Sequence, residues 1–329
     1  MKAIVQDAYG PADVLRLSDV DRPEIGAEEV LVEVRAAAVD PGVWVLMTGR
    51  PYLMRLAGFG LRRPKVAVRG RDVAGVVAAV GAGVTRFRPG QEVYGTCDSG
   101  SYAEFARARQ NRLAPKPASL TFEQAAAMPV SGMTALQAVR DVAGVRPGQR
   151  VLVIGASGGV GSFAVQIARA YGASVTGVCS AAKAGFVRSL GADDVVDYTQ
   201  EEIDRDGPRY DVVVDTAGNR PLSLLRRALT PRGTLVVVGG GHVAHRFTGG
   251  MGRTFRAPLL SLFTGQRLRP VMTRERAEDL EELSRLVESG AVTPRIDRVY
   301  PLADAPDAIR HLMGGHPGGK VVVTVNGTA

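Results

Sequence analysis

From residue 1 to about 120 the apolar positions fall in short runs, each cut off by Gly or Pro. "EVLVEVRAAAV", "DVAGVVAAV" and "QEVYGT" mix alternation with continuous apolar stretches, the texture of strands in a closed antiparallel body, and helical periodicity is nearly absent there. "RPGQ" occurs at 88–91 and again at 146–149, and each copy launches an apolar run, so both read as structural turns with Pro and Gly at the centre. After Leu120 the pattern changes. Thr121 is a candidate helix cap, and strands at 151–154, 174–178, 211–215 and 234–238 then alternate with helices at 163–171, 181–190 and 221–229. Runs such as "VLVI" and "LVVV" are apolar throughout, as in parallel strands covered by helices on both faces. Past about 262 come a helix, an extended "RIDRVYPL", another helix at 304–313 and a last strand "KVVVTV".

These patterns predict a β-rich domain over 1–121, a doubly wound parallel α/β domain over 122–262, and a segment 263–329 that returns to complete the first. The length of 329 residues agrees, since single cores stop growing near about 250–300 residues.

Composition narrows the function classes. The net charge of +8 would suit nucleic acid if clustered, but the densest run, "LRRPK" at 61–65, lacks interleaved aromatics, so no nucleic-acid partner is expected. Cys97 and Cys179 are far apart and form no Cys-x-x-Cys unit, which fits a reducing compartment and offers no cysteine-built zinc site. The N-terminal "MKAIVQDAYG" reads as a strand rather than a signal peptide, and the longest apolar run, 73–84, is too short to span a bilayer. A cytoplasmic protein without a membrane segment is the expectation.

The chemistry starts at "VLVIGASGGVG", 151–161. A strand, a glycine-rich turn, a helix and a second strand are the context in which backbone N–H groups approach a dinucleotide pyrophosphate. Ser157, Gly158, Gly159 and Val160 are the gripping residues, with Ala156 where a first glycine is usual. An enzyme using NAD carries an acid roughly 20 residues on, for the ribose hydroxyls. From Ala156 to Ala192 there is no Asp or Glu, and the second strand runs into Ser180 and Lys183. A hydroxyl and a cation there suit a 2′-phosphate, so NADPH is the expected cofactor; a solvated lysine at a helix start is the plain alternative for Lys183.

"AAAVDPGVW" at 36–44, "GRDVAGVVAAVGAGVTRFRPGQEVYG" at 70–95, "MPVSGMTALQAV" at 128–139, "GASGGVGSFAVQIARAYGA" at 155–173, "LGADDVVDY" at 190–198 and "GGKVVV" at 318–323 together resemble the medium-chain dehydrogenase/reductase superfamily. Within it the chain resembles the zinc-independent, zeta-crystallin-like quinone oxidoreductases, over essentially its whole length. The resemblance implies a GroES-like catalytic domain, a Rossmann domain, an NADPH cleft and commonly a homodimer. Carried over position by position, it makes Ser180, Lys183 and Tyr198 contacts of the 2′-phosphate and puts Thr134 beside the nicotinamide. Thr216, Gly239, Gly240 and Lys320 resemble further cofactor positions. Tyr198 reads equally as an aromatic packed on the sheet, and Thr216 as a capping residue.

Where zinc-dependent relatives carry Cys and then Gly-His-Glu, this chain has Asp40 and Gly70-Arg71-Asp72, and arginine is no zinc ligand. Arg71 and Asp72 are expected to pair with each other, His242 and His245 to sit in a solvent-facing loop, and no metal is expected. Without a Lewis acid the fitting acceptor is a small or medium apolar conjugated carbonyl compound, a quinone, enone or enoyl compound. Candidates for handling it lie on "DPGVWVLMTGRPY", read as a loop: Tyr52 as hydrogen-bond donor, Trp44 as stacking wall, and Asp40. Asp40 is open between an ionised form, a buried protonated donor and an Asx turn before Pro41. A catalytically weak NADPH-binding sensor or structural protein is the alternative from another class, and an alcohol dehydrogenase a third.

Overall fold

The computed structural model describes residues 1–52, 55–239, 251–314 and 317–325. The chain divides into two compact units, one of Met1–Met133, Glu275–Glu288 and Pro294–Ala329, the other of Thr134–Arg274 and Ser289–Thr293.

Strands β1 (Lys2–Val5) and β2 (Arg16–Asp19) of the first unit pair antiparallel. β3 (Glu29–Val39), β4 (Asp72–Val80), β5 (Glu92–Thr96), β6 (Phe105–Arg109) and β7 (Leu113–Pro115) enter a seven-stranded sheet with the late strands β14 (Ile296–Pro301) and β15 (Lys320–Thr324). Its order is β14-β15-β3-β4-β5-β7, with β6 also on β3, and every pairing is antiparallel except β14 with β15. Val30, Val32 and Val34 of β3 are buried beside Val73, Val77 and Val93, which is why that strand alternates before turning wholly apolar at Ala36–Val39. The return of the tail to this sheet therefore follows from β15 lying directly against β3. This is the GroES-like, β-rich unit.

Helicity is richer here than the pattern predicts. Residues 41–48, read as loop, form helix α1 (Pro41–Thr48), with Pro at its first position and Gly49 in the left-handed region at φ 60° ending it. "GVWVLM" is apolar on every side, so no amphipathic stripe betrays it. Thr121 does cap α2 (Phe122–Ala126): its Oγ1 accepts from Gln124 N, and Gln124 Oε1 accepts from Thr121 N, a reciprocal capping box. α3 (Pro129–Leu136) follows.

In the second unit six parallel strands, β8 (Arg150–Ile154), β9 (Ser174–Cys179), β10 (Asp194–Asp197), β11 (Tyr210–Asp215), β12 (Leu229–Val237) and β13 (Arg267–Pro270), are ordered β10-β9-β8-β11-β12-β13. That is the 3-2-1-4-5-6 order of the Rossmann fold, with its switch point between β8 and β11. Helices α4 (Gly159–Ala170), α5 (Ala184–Ser189), α6 (Leu222–Ala228) and α7 (Met251–Ser261) belong to it, around buried Leu152, Ile154, Val213, Leu225, Leu235 and Leu268. Because Leu268 is in that core, the chain stays in the second unit to Arg274 rather than leaving at 263. α8 (Ala277–Glu288) and α9 (Ala305–Gly314) then return to the first unit, where Tyr94 Oη donates to Leu280 O at 2.6 Å. Among the described residues no helix is long and apolar enough to cross a membrane.

Candidate active site

At the switch point of the second unit, β8 ends at Ile154 and the chain turns through Gly155 to Gly158, the N-cap of α4. The helix thus starts at Gly159, four residues before the 163 that the periodicity gives. Gly155 takes the left-handed conformation at φ 77°, and Ala156 is buried directly behind it, so the missing glycine is compensated one residue upstream. A Cβ on Gly161 would meet Gly155 O at 2.0 Å, so only glycine lets the helix start fold so tightly on the turn. Ser157, Gly158, Gly159 and Val160 are half-buried on its outer side, where the first N–H groups of a helix lack intrahelical partners. This cradle fits a dinucleotide pyrophosphate. Thr216, directly after β11, donates its hydroxyl to Ile154 O at 2.7 Å across the switch point. It ties the end of β11 to the end of β8, where the turn begins.

β9 delivers Ser180 and then the turn Ala181–Lys183. Ser180 opens that turn without spending its hydroxyl on a cap, Lys183 is half-buried, and Tyr198 N donates to Cys179 O, bringing Tyr198 to the end of the same strand. Arg220, which the linear reading missed, places its guanidinium 6.0 Å from the centre of the Tyr198 ring. The acid at the end of β10, Asp197, accepts from Thr199 N and Oγ1. Sequence alone could have found the larger signal: residues 216–274 contain ten arginines and no Asp, Glu or Lys, so this stretch holds +10 and the rest of the chain, +8 less +10, holds −2. Within it Arg253 pairs at 2.5 Å with buried Asp215.

Thr134 of the second unit is buried with its hydroxyl 2.9 Å from that of Thr273. Gly239 sits at φ 74° just past β12. Gly240, His242 and His245 lie outside the described residues.

The first unit holds the remaining candidates. Asp40 is the N-cap of α1, its Oδ1 accepting from Gly42 N at 2.7 Å, so the Asx reading is the one its geometry takes. Trp44 packs on the core around Ile4, Val43, Met47 and Ile309. Tyr52 stacks on Arg55 at 4.8 Å, and the same guanidinium lies 4.1 Å from Tyr9 and donates to Gly49 O and Thr48 O, closing the C-terminus of α1. None of Asp40, Trp44 and Tyr52 lines the cavity of about 510 Å³ in this unit. Val43, Val45, Leu46, Phe59, Val66 and Val68 form its apolar wall; Lys65, Arg69 and Arg71 add three cations.

Arg71 and Asp72 do not pair with each other. Neighbours on an extended strand project to opposite faces, so Arg71 pairs with Glu275 and Asp72 with Lys320. Lys320 Nζ lies 3.3 Å from Asp72 Oδ2 and 3.0 Å from Ser131 Oγ, while Asp72 Oδ1 accepts from Val130 N at 2.8 Å. Burial pushes the Asp72 carboxyl above the ordinary range, Lys320 pulls it down and Asp40 pushes it up again. Burial, with Asp40 and Asp72 nearby, likewise holds the Tyr102 phenol far above its usual value. Among the described residues no three His, Cys, Asp or Glu side chains converge as metal ligands would.

The family model described as the alcohol dehydrogenase GroES-like domain matches residues 26–118, and one described as zinc-binding dehydrogenase matches 190–323. The chain is 34% identical over 338 residues to the chloroplast envelope quinone oxidoreductase homolog of Arabidopsis thaliana, covering 98% of each. It is 35% identical over 337 residues to that plant's chloroplastic NADPH-dependent alkenal/one oxidoreductase, covering 98% of this chain and 79% of the relative. The quinone oxidoreductase of Coxiella burnetii superposes with a TM-score of 0.86 at 29% identity, covering 99% of both chains. Glycine turn, strand order and full-length similarity agree: the chain belongs to the medium-chain dehydrogenase/reductase superfamily, among its quinone oxidoreductase-like oxidoreductases.

Proposed function

We propose that the protein is a zinc-independent, NADPH-dependent reductase of conjugated carbonyl compounds, enones in particular. The observation that carries this is the end of β9, where Ser180, Lys183 and the Arg220–Tyr198 stack gather around a turn fit for pyrophosphate, with no acid from 156 to 192. A carboxylate there would repel a 2′-phosphate; its absence and the +10 stretch favour one. The alkenal/one oxidoreductase relative carries NADPH dependence in its name.

The bound coenzyme supplies hydride. The chain's part is to hold it and to present an acceptor whose double bond is already polarised. The Ser157–Val160 turn takes the pyrophosphate, Ser180 and Lys183 the 2′-phosphate, and Thr134 the nicotinamide end. The apolar wall Val43, Val45, Leu46, Phe59 keeps water from the acceptor's carbon skeleton. Its oxygen, which gains negative charge, needs a donor, and Lys65, on the same wall and exposed, is a cation that can supply one. Absence of zinc is supported by the donor set: at the positions of the zinc ligands Arg71 is cationic and Asp72 is committed to Lys320. Free, buried Cys97 and Cys179 support the cytoplasm as the compartment. Phe255, Leu259, Leu262 and Phe263, all exposed on and just after α7, support a homodimer.

Among the described residues no Ser, Thr or Tyr lines the cavity, and this favours a second reading, a protein that binds NADPH and turns it over weakly. Loss of NADPH absorbance against a panel of enones and quinones separates the two. Rapid loss with enones supports the reductase; tight binding with every acceptor left unreduced supports the binder.

A further inference from the structure

The cavity of the first unit carries a charge that the fold itself does not use. Arg69 lines it and is only 5% exposed. Its backbone is fixed by Ile4 O and Tyr102 N. Its side-chain Nε and Nη2 are buried and find no hydrogen-bond partner among the described residues. The other charges on the wall are accounted for: Arg71 pairs with Glu275, Asp98 accepts from Arg112 at 2.5 Å, and Lys65 is exposed to solvent. A buried guanidinium without a partner is destabilising, and a polar group left so in a cavity is a candidate for ligand binding. Burial lowers Arg69 to about 10, which leaves it cationic at neutral pH.

We infer that Arg69 receives the carboxylate of the substrate, so that the preferred acceptors are unsaturated carbonyl compounds with an apolar body and an anionic end. The inference rests on the reductase reading and narrows its substrate class. Arginine's planar fork matches a carboxylate in two parallel hydrogen bonds, and the apolar wall takes the rest of a molecule of modest size.

The test compares trans-4-oxo-2-pentenoic acid with its methyl ester as acceptors for NADPH. The wild-type protein should favour the acid by at least about tenfold in kcat/KM, the scale of a charged hydrogen bond. Arg69→Met should bring the acid down to the ester, leave the ester and the KM for NADPH unchanged, and unfold at the same or a higher temperature. An ester reduced as well as the acid by wild type, or a loss in R69M that is equal for both, overturns the inference. Calorimetry with levulinate, the saturated acid, reads the site without turnover. Levulinate bound by wild type and not by R69M upholds the carboxylate site even if neither acceptor is reduced, in which case only the reductase reading falls. Levulinate not bound by wild type, or bound equally by R69M, refutes the site.

Discussion

Lys320 and Asp72, 248 positions apart in sequence, form a buried ion pair, Nζ to Oδ2 at 3.3 Å with side chains 2% and 0% exposed. Ser131 and the Val130 N–H complete it, so each charge has a second polar partner. Removing one member leaves the other buried and uncompensated. Asp72→Asn and Lys320→Met should each destabilise the protein by about 3–5 kcal/mol, and the double variant by less than the sum. Denaturant titration of the four proteins measures this.

Gly161→Ala should leave the second unit folded yet raise the NADPH dissociation constant by more than about tenfold, because the new Cβ, 2.0 Å from Gly155 O, forces the turn open. Fluorescence titration with NADPH is the check. An unchanged constant would mean that the coenzyme is held elsewhere.

Lys183→Glu should weaken NADPH by about 100-fold through like-charge repulsion and leave NADH nearly unaffected. Arg220→Ala should act in the same direction and more weakly. Steady-state comparison of the two coenzymes decides.

How much of this could be read along the chain depends on the range of the interaction. The glycine turn, the β9 end and the helix cap at Thr121 are local patterns, and the structure has all three. α1 escaped because an apolar segment without a stripe has no helical signature. The partners of Arg71 and Asp72 escaped because strand pairing and the returning tail choose them, and neither is encoded near Gly70. Arg69 carries no local signal at all: the fold, not the neighbouring sequence, buries its Nε and Nη2 without partners among the described residues.

Burial pushes the Cys97 thiol up to about 12 from an ordinary 9.0. The folded chain keeps that proton while the unfolded chain releases it, so this thiol's contribution is fully present below about pH 9 and is lost as pH rises toward 12. At pH 8 native Cys97 should resist iodoacetamide and react only after denaturation, as mass spectrometry would record.

Leu262→Asp together with Phe263→Asp should yield a monomer in analytical ultracentrifugation without loss of helical signal, since both side chains stand exposed, at 77% and 85%.

The carbon that receives the hydride defines the reaction. With NADPH deuterated at the transferring position of the nicotinamide and an enone as acceptor, the label should appear on the β-carbon of a saturated ketone. Deuterium on the carbonyl carbon of an allylic alcohol, or a label that never leaves the coenzyme, would exclude reduction of the enone at its β-carbon.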